Sequence, residues 1–514
     1  MFLSIKNYCH GPYRLYDSLG NAQELSEISS RKWFPTQIID REENISHDAI
    51  PTQIVGIIDF TNRTSAGLTP RGIPMYFFFP INPAYPTFVV SAKVNPRENM
   101  LAQVSYEHWE DKRPRGGVQR ILGAVGNVMA EAAALIQAAG IPKKPAIPTV
   151  VPLSPRTVPP YWDRVFNIDP AGCADVDDVF CWRNDGTLGI AIADVASWVA
   201  EGDPCDLYAR ELGQTIYVDG IPSIPMLPVA ISETAASLRC DGTTRSVLTA
   251  IWLPSAEAPT WEIQHVALTR CYSYESAVGS EDLMLVTAAL RALGTPTLAE
   301  EPHGVVEHAM ILYNTFAARA LRAKGVGLLR THDKMKNTEF ADIALKSGCA
   351  EIAHMGSSAG RYVPGCTSGG HSGLGLDVYC HATSPLRRYA DLVNQRWLKH
   401  ILCSADAPTT HLHLGNRLNW RNQIVKQLDR DLYFLQNLQP NSITTVSGIV
   451  LRVLSDRGIE RISIYVPMWR RKVTVRRPVT TNVTIPEIGS NVALRAYCNL
   501  RATNWHERLV CSID

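Results

Sequence analysis

The sequence predicts an α+β body flanked by two small β-barrels of the OB type, and three observations predict it. Strand-like runs separated by turn residues cluster near both ends of the chain, in residues 50–122 and again after 442. Residues 161–440 instead mix short strands with long amphipathic helices. Between the first barrel and this body lies IPKKPAIPTVVPLSPRTVPPYW (141–162), whose prolines forbid regular helix or central strand.

In chain order, residues 1–48 show weak periodicity, end in DREENISHD and read as an N-terminal extension. Residues 49–140 hold IVGIIDF, MYFFF, TFVVSAKV and MLAQVSY, apolar runs punctuated by Asn, Pro and Gly, as in a small barrel. After PRGG, the stretch VQRILGAVGNVMAEAAALIQAAG carries apolar residues at helical spacing and stops at Gly140, predicting a trailing helix. Residues 141–160 form the linker and 161–440 the body, with VVEHAMILYNTFAARALRAKG as one of its helices. Residues 441–514 return to alternation in ITTVSGIVLRVL, RISIYVP, KVTVRR and NVALRAY, predicting the second barrel.

At 514 residues the chain is too long for one core, and its formal net charge of +1 gives no global sign of a polyanion binder. Twelve cysteines lack any CxxC pair or metal-finger spacing, which points to a reducing compartment. No apolar run approaches a membrane span, and Asp17, Glu24 and Glu27 oppose an organelle leader, so the expected location is the cytoplasm, with organelle or nucleus as alternatives.

Chemistry concentrates in two segments. NIDPAGCADVDDVF (167–180) crowds Asp169, Asp175, Asp177 and Asp178, like charges that repel unless something positive sits among them. Two strands follow, joined across Asn184-Asp185-Gly186, so the acids sit at the mouth of a hairpin. Hard oxygen donors in this grouping suit Mg²⁺ or Mn²⁺, and a pair of such ions activates water on a phosphodiester. The plain alternative is a solvated acidic turn.

The second segment is YCHATSPLRRYADLVNQRWLKHIL (379–402). Here Ser384 reads as an N-cap and Pro385 as the first helical residue, which puts Arg387 and Arg388 in the first turn. Basic side chains there oppose the helix dipole unless an anion is bound, and a phosphate suits both guanidinium forks. The alternative is an ion pair with Asp391 or with the acidic cluster. Taken together, the two segments predict phosphodiester hydrolysis.

These blocks, with GIAIADVASWV, TIYVDGIPSIPMLPVAISETAASL, LLRTHDK and VVEHAMILYN, resemble the RNB catalytic domain of ribonuclease II, ribonuclease R and the exosome-type exoribonucleases. The N-terminal barrel resembles the cold-shock-type barrel of that family, and the C-terminal one its terminal RNA-binding OB barrel. The resemblance implies a 3′-to-5′ hydrolytic exoribonuclease that degrades single-stranded RNA to nucleoside 5′-monophosphates by a Mg²⁺-dependent two-metal mechanism. It makes Asp169, Asp175, Asp177 and Asp178 the metal carboxylates, Arg387 the holder of the scissile phosphate, and Tyr217 and Glu307 contacts to the RNA 3′ end. Tyr274 resembles a further active-site tyrosine, with Tyr272 as the rival alignment. Arg388 and the basic run RRKVTVRR, led by Arg470, Arg471 and Lys472, are the expected RNA-backbone contacts. The resemblance also implies either a place in an RNA-processing or degradation complex or a monomer.

Two departures stand out. The body is shorter than the family's, and SEDLMLVTAALRALGTPTLAEEPHG lacks the aromatic that would clamp the terminal bases. A catalytically inactive RNB-fold scaffold that binds RNA is the competing expectation.

Overall fold

The computed structural model describes residues 53–62, 66–82, 85–93, 96–109, 112–142, 144–145, 161–218, 221–294, 301–333, 339–356, 359–409, 413–438, 442–479, 486–503 and 508–513. It also describes, for backbone alone, strands Phe2–Ile5, Leu15–Tyr16, Ala22–Gln23 and Ile38–Asp40, which pair into one small sheet within the expected extension. Most of the expected linker lies outside the described residues. The chain divides into two compact units, residues 1–141 with 342–352 and 427–514, and residues 142–341 with 353–426.

The first unit holds both barrels. Strands Ile54–Ile58, Met75–Pro80, Phe88–Ser91, Met100–His108 and Arg115–Ala124 close into one, the parallel pairing of Phe88–Ser91 with Arg115–Ala124 completing the ring. Ile58, Phe78, Phe88 and Val104 fill it with no exposed surface. Here the expected helix from 118 is corrected: VQRILGA is a strand, and the helix begins only at Val128. Strand Met100–His108 offers VQRILGA an unpaired edge, and a barrel of four strands could not close. Gly116 lets the two strands approach, since a Cβ there would meet the Ser105 carbonyl oxygen at 2.9 Å and Val104 Cγ1 at 2.5 Å. Asn127 then caps the helix, accepting from the Ala130 N–H at 3.1 Å.

The C-terminal strands run Arg471–Pro478, Ile459–Val466, Ile443–Asp456, Asn491–Cys498, Leu509–Ile513 in spatial order and curl into a nearly closed barrel. Val450, Ile462, Ile464, Trp469 and Leu494 form its core, onto which Val473 and Val475 from one outer strand and Leu509 and Ile513 from the other also pack.

A buried ion pair joins the two barrels. Arg508 reaches Glu131 at 2.5 and 3.1 Å, and the Gly126 N–H donates to the same carboxylate at 2.7 Å. Both side chains are almost wholly buried. Glu131→Ala takes the carboxylate away from a buried guanidinium, so we expect it to destabilise that unit by about 3–5 kcal/mol, as measured by denaturant titration.

The second unit is built on a six-stranded sheet in the order Thr260–Val266, Arg245–Trp252, Leu188–Ala193, Asp178–Trp182, Arg164–Asp169, Arg270–Ser273. Every pairing is antiparallel except the last. Leu188–Ala193 is buried at every position, as expected of a central strand. Helix Pro302–Lys324 covers the sheet through Trp252–Phe316 and Trp261–Tyr313 ring contacts at 5.8 and 5.0 Å, and helix Tyr389–Cys403 packs beside it. This leaves one end of strands Arg164–Asp169 and Asp178–Trp182 facing a cavity.

Candidate active site

The register Phe166↔Phe180 sets Asp169, the last residue of its strand, across from the start of Asp178–Trp182. The loop between them is pinned from outside. Ser237 Oγ accepts from the Val176 N–H at 3.0 Å and donates to the Ala174 carbonyl at 2.7 Å, and the Asp177 carbonyl takes the Ala193 N–H at 2.8 Å. The four acids are thus brought to the wall of one cavity by short-range geometry and these two tertiary contacts.

They line a cavity of about 650 Å³, and Arg387 and Arg388 share its wall. Tyr217, Tyr274 and Glu307 line it as well. Tyr217 donates its hydroxyl to Asp175 Oδ2 at 2.6 Å. Tyr272 is spent elsewhere, donating to Asp282 at 2.8 Å and packing edge-on against Phe166, so of the two rival tyrosines only Tyr274 is placed at the cavity. Arg470, Arg471 and Lys472 belong to the C-terminal barrel. Arg471 pairs with Asp431 and lies over Phe434, Arg470 lies over Tyr433, and Lys472 is exposed.

The expected arginine-bearing first turn is corrected. The helix starts at Tyr389, with Arg388 in extended conformation before it. Residues 384–387 form a turn closed by the Arg387 N–H on the Ser384 carbonyl at 3.2 Å. The backbone then pairs with residues 213–215, through Thr215 N–H to Arg387 O at 2.9 Å and Tyr389 N–H to Gly213 O at 3.0 Å, which holds it out of the helix. Buried Asp391 locks this turn, accepting from the Ser384 N–H at 2.8 Å and from Arg388 at 2.9 Å. Arg387 projects into the cavity with about half its side chain exposed, its Nε 3.3 Å from Asp177 Oδ2 and its Nη2 donating to Ser384 Oγ at 3.0 Å. Both ion pairs foreseen as alternatives to anion binding therefore form, while Arg387 keeps an open face. Arg387→Lys would keep the charge but lose the planar fork that can meet two oxygens at once.

Burial pushes Asp177 up to about 7 even though Arg387 and the Leu386 N–H, which donates to Oδ1 at 2.8 Å, hold it down. Asp178 rises well above the ordinary range through burial and the neighbouring charges of Asp169 and Asp177, and burial also raises Asp169. Such a cluster is uncomfortable without a cation. Its all-oxygen donor chemistry fits Mg²⁺ or Mn²⁺, and no donor among the described residues reaches the Asp178 carboxylate. The other three are held by protein groups, Asp169 by Asn167, Asp175 by Tyr217 and Asp177 by Leu386 and Arg387. Accordingly, among the described residues no three acidic, His or Cys side chains are gathered on one point as a ready-made metal cage.

Sequence reading missed Asn314, Tyr379 and Thr383, which also line the cavity. Asn314 carried a signal: it follows Glu307 by seven residues, two helical turns, on the same face. Asp194 is structural, accepting from Lys399, Ser197 and Ser246.

Residues 162–265 and 296–404 match the RNB domain family. The chain carries an RNB domain. Exoribonuclease 2 of Sodalis glossinidius is 27% identical over 360 residues, covering 54% of this chain and 56% of that protein. The Probable exosome complex exonuclease RRP44 of Caenorhabditis elegans is 23% identical over 539 residues, covering 81% of this chain and 55% of its own length. The chain spans about half the length of the curated relatives it matches. Among solved structures, Mycoplasma genitalium RNase R in complex with ribose-methylated single-stranded RNA superposes with a TM-score of 0.72 at 15% identity over the whole of both chains. A yeast pseudonuclease superposes with a TM-score of 0.62 at 16% identity, over 88% of this chain and 69% of that one. The RNB domain with its flanking barrels has the RNase R-like fold. No helix among the described residues is long and apolar enough to cross a membrane.

Proposed function

We propose that this protein is a 3′-to-5′ exoribonuclease that hydrolyses single-stranded RNA to nucleoside 5′-monophosphates, with an RNB catalytic domain over 161–440 between barrels at 49–140 and 441–514. The observation that carries the reading is the cavity itself, which brings Asp177 to Arg387 across 210 positions of sequence and sets the other three aspartates beside them. Asp169, Asp175, Asp177 and Asp178 would hold Mg²⁺ or Mn²⁺, which when bound supplies activated water and offsets charge on the phosphate. Arg387 turns its open face to the scissile phosphate and takes up its developing charge, a fixed cation where charge grows. Tyr217, oriented by Asp175, and Tyr274 flank the 3′ end, and exposed Glu307 accepts hydrogen bonds from the terminal ribose. Arg388, fixed by Asp391, adds positive potential behind the phosphate.

The test is 5′-labelled single-stranded RNA and DNA, each with Mg²⁺ or with EDTA, resolved on a gel. The expected result is a ladder shortening from the 3′ end on RNA alone, and only with metal. A second reading is an RNB-fold scaffold that binds RNA without cutting it. It is favoured by the three aspartates that are held by protein donors, and by the fold shared with a pseudonuclease. RNA binding with no shortening at any metal concentration supports that reading and overturns the first.

A further inference from the structure

Asn314 is 2% exposed and has every polar atom of its side chain engaged. Its Oδ1 accepts from the Ala382 N–H at 2.8 Å, which fixes the amide orientation because a backbone N–H can only donate. The two Nδ2 hydrogens are then directed at the Tyr379 hydroxyl at 3.1 Å and at Thr383 Oγ1 at 3.2 Å. Both hydroxyls are thereby forced to accept. Each still carries one hydrogen of its own, and neither donates it to a group among the described residues. Burial pushes the Tyr379 phenol up, so its O–H stays intact at neutral pH. Both residues line the same cavity as Arg387 and Arg388.

Two buried hydroxyl donors whose direction is imposed from behind, on a wall with two guanidinium groups, call for an anionic oxygen. We propose that Tyr379 and Thr383 donate hydrogen bonds to a non-bridging phosphate oxygen of the nucleic acid in this cavity, and that Asn314 is the positioning residue that sets their direction. The assignment rests on RNA occupying the cavity, and deepens the reading above by adding two substrate contacts to it. It also explains why an asparagine, and not an aspartate, stands at 314: a carboxylate would accept from both hydroxyls and turn their hydrogens away from the cavity.

The experiment compares wild type with Tyr379→Phe, Thr383→Val and Thr383→Ser. Tyr379→Phe preserves the ring contacts to His371 and His381, so the packing is kept. Binding is measured by anisotropy in EDTA, using single-stranded RNA whose 3′-terminal linkage is either a phosphodiester or a neutral methylphosphonate. Hydrolysis of the phosphodiester RNA is followed separately. On the phosphodiester, Tyr379→Phe and Thr383→Val are each expected to weaken binding or lower kcat/KM roughly ten- to a hundredfold, Thr383→Ser staying within about threefold. On the methylphosphonate the difference from wild type should shrink to about twofold. A merely structural role predicts the same penalty on both linkages, and that result overturns the assignment, as does wild-type behaviour of both variants on the phosphodiester. If wild type binds RNA without shortening it, the exonuclease reading fails while the binding arm still decides the phosphate contact.

Discussion

Asp177→Asn is expected to abolish RNA shortening, by more than about a thousandfold, while leaving RNA affinity within about twofold. The Oδ1 of Asp177 takes the Leu386 N–H and its Oδ2 faces Arg387. Asparagine can keep the first contact, so the turn at 384–387 that carries Arg387 stays in place. What it loses is the negative charge, which is both a quarter of the acidic donor set and the partner that aims the guanidinium. RNA affinity comes mainly from many Lys and Arg contacts to phosphates, of which this change bears on Arg387 alone. Single-turnover assays beside anisotropy on the same preparation check both halves. Retained turnover would remove Asp177 from the chemistry, and lost binding would show that its role is to hold the fold.

What could be read in the sequence, and what could not, divides by range. The acidic hairpin was legible because its signals are local, two short apolar runs, VFCW and GIAIA, on either side of Asn184-Asp185-Gly186, and the strands pair as Trp182↔Leu188. Both misread segments were decided by partners far away in sequence. VQRILGA fits helical and strand patterns equally, and only the free edge of Met100–His108 selects the strand. SPLRR has every local helix-start signal, yet residues 213–215 bind its backbone first and delay the helix to Tyr389. In RRKVTVRR the alternation correctly buries Val473 and Val475, but nothing nearby announces that Arg471 and Arg477 already answer to Asp431 and Glu460. The Glu131–Arg508 pair spans 377 positions, and no spacing rule reaches that far.

The same substitution is expected to raise thermal stability in metal-free protein, and to do so only above a particular pH. Burial lifts Asp177 from 3.8 to about 7 in the folded chain. Between those values the folded state keeps a proton that the unfolded chain has already released, so stability falls as pH rises from about 4 to about 7 and the loss is complete above that. At about 1.4 kcal/mol per unit over roughly three units, the upper bound is about 4 kcal/mol, reduced by whatever local relaxation admits water. Asparagine has no proton to lose and escapes this penalty. Melting curves in EDTA should therefore show the variant and wild type together near pH 4 and the variant several degrees higher at pH 8. Adding Mg²⁺ at pH 8 should close the gap from the wild-type side, because a ligand that binds the folded form stabilises it and the variant has lost part of the site. A gap that is constant with pH would mean that Asp177 ionises freely in the fold, and a gap untouched by Mg²⁺ would separate the carboxylate cluster from metal binding.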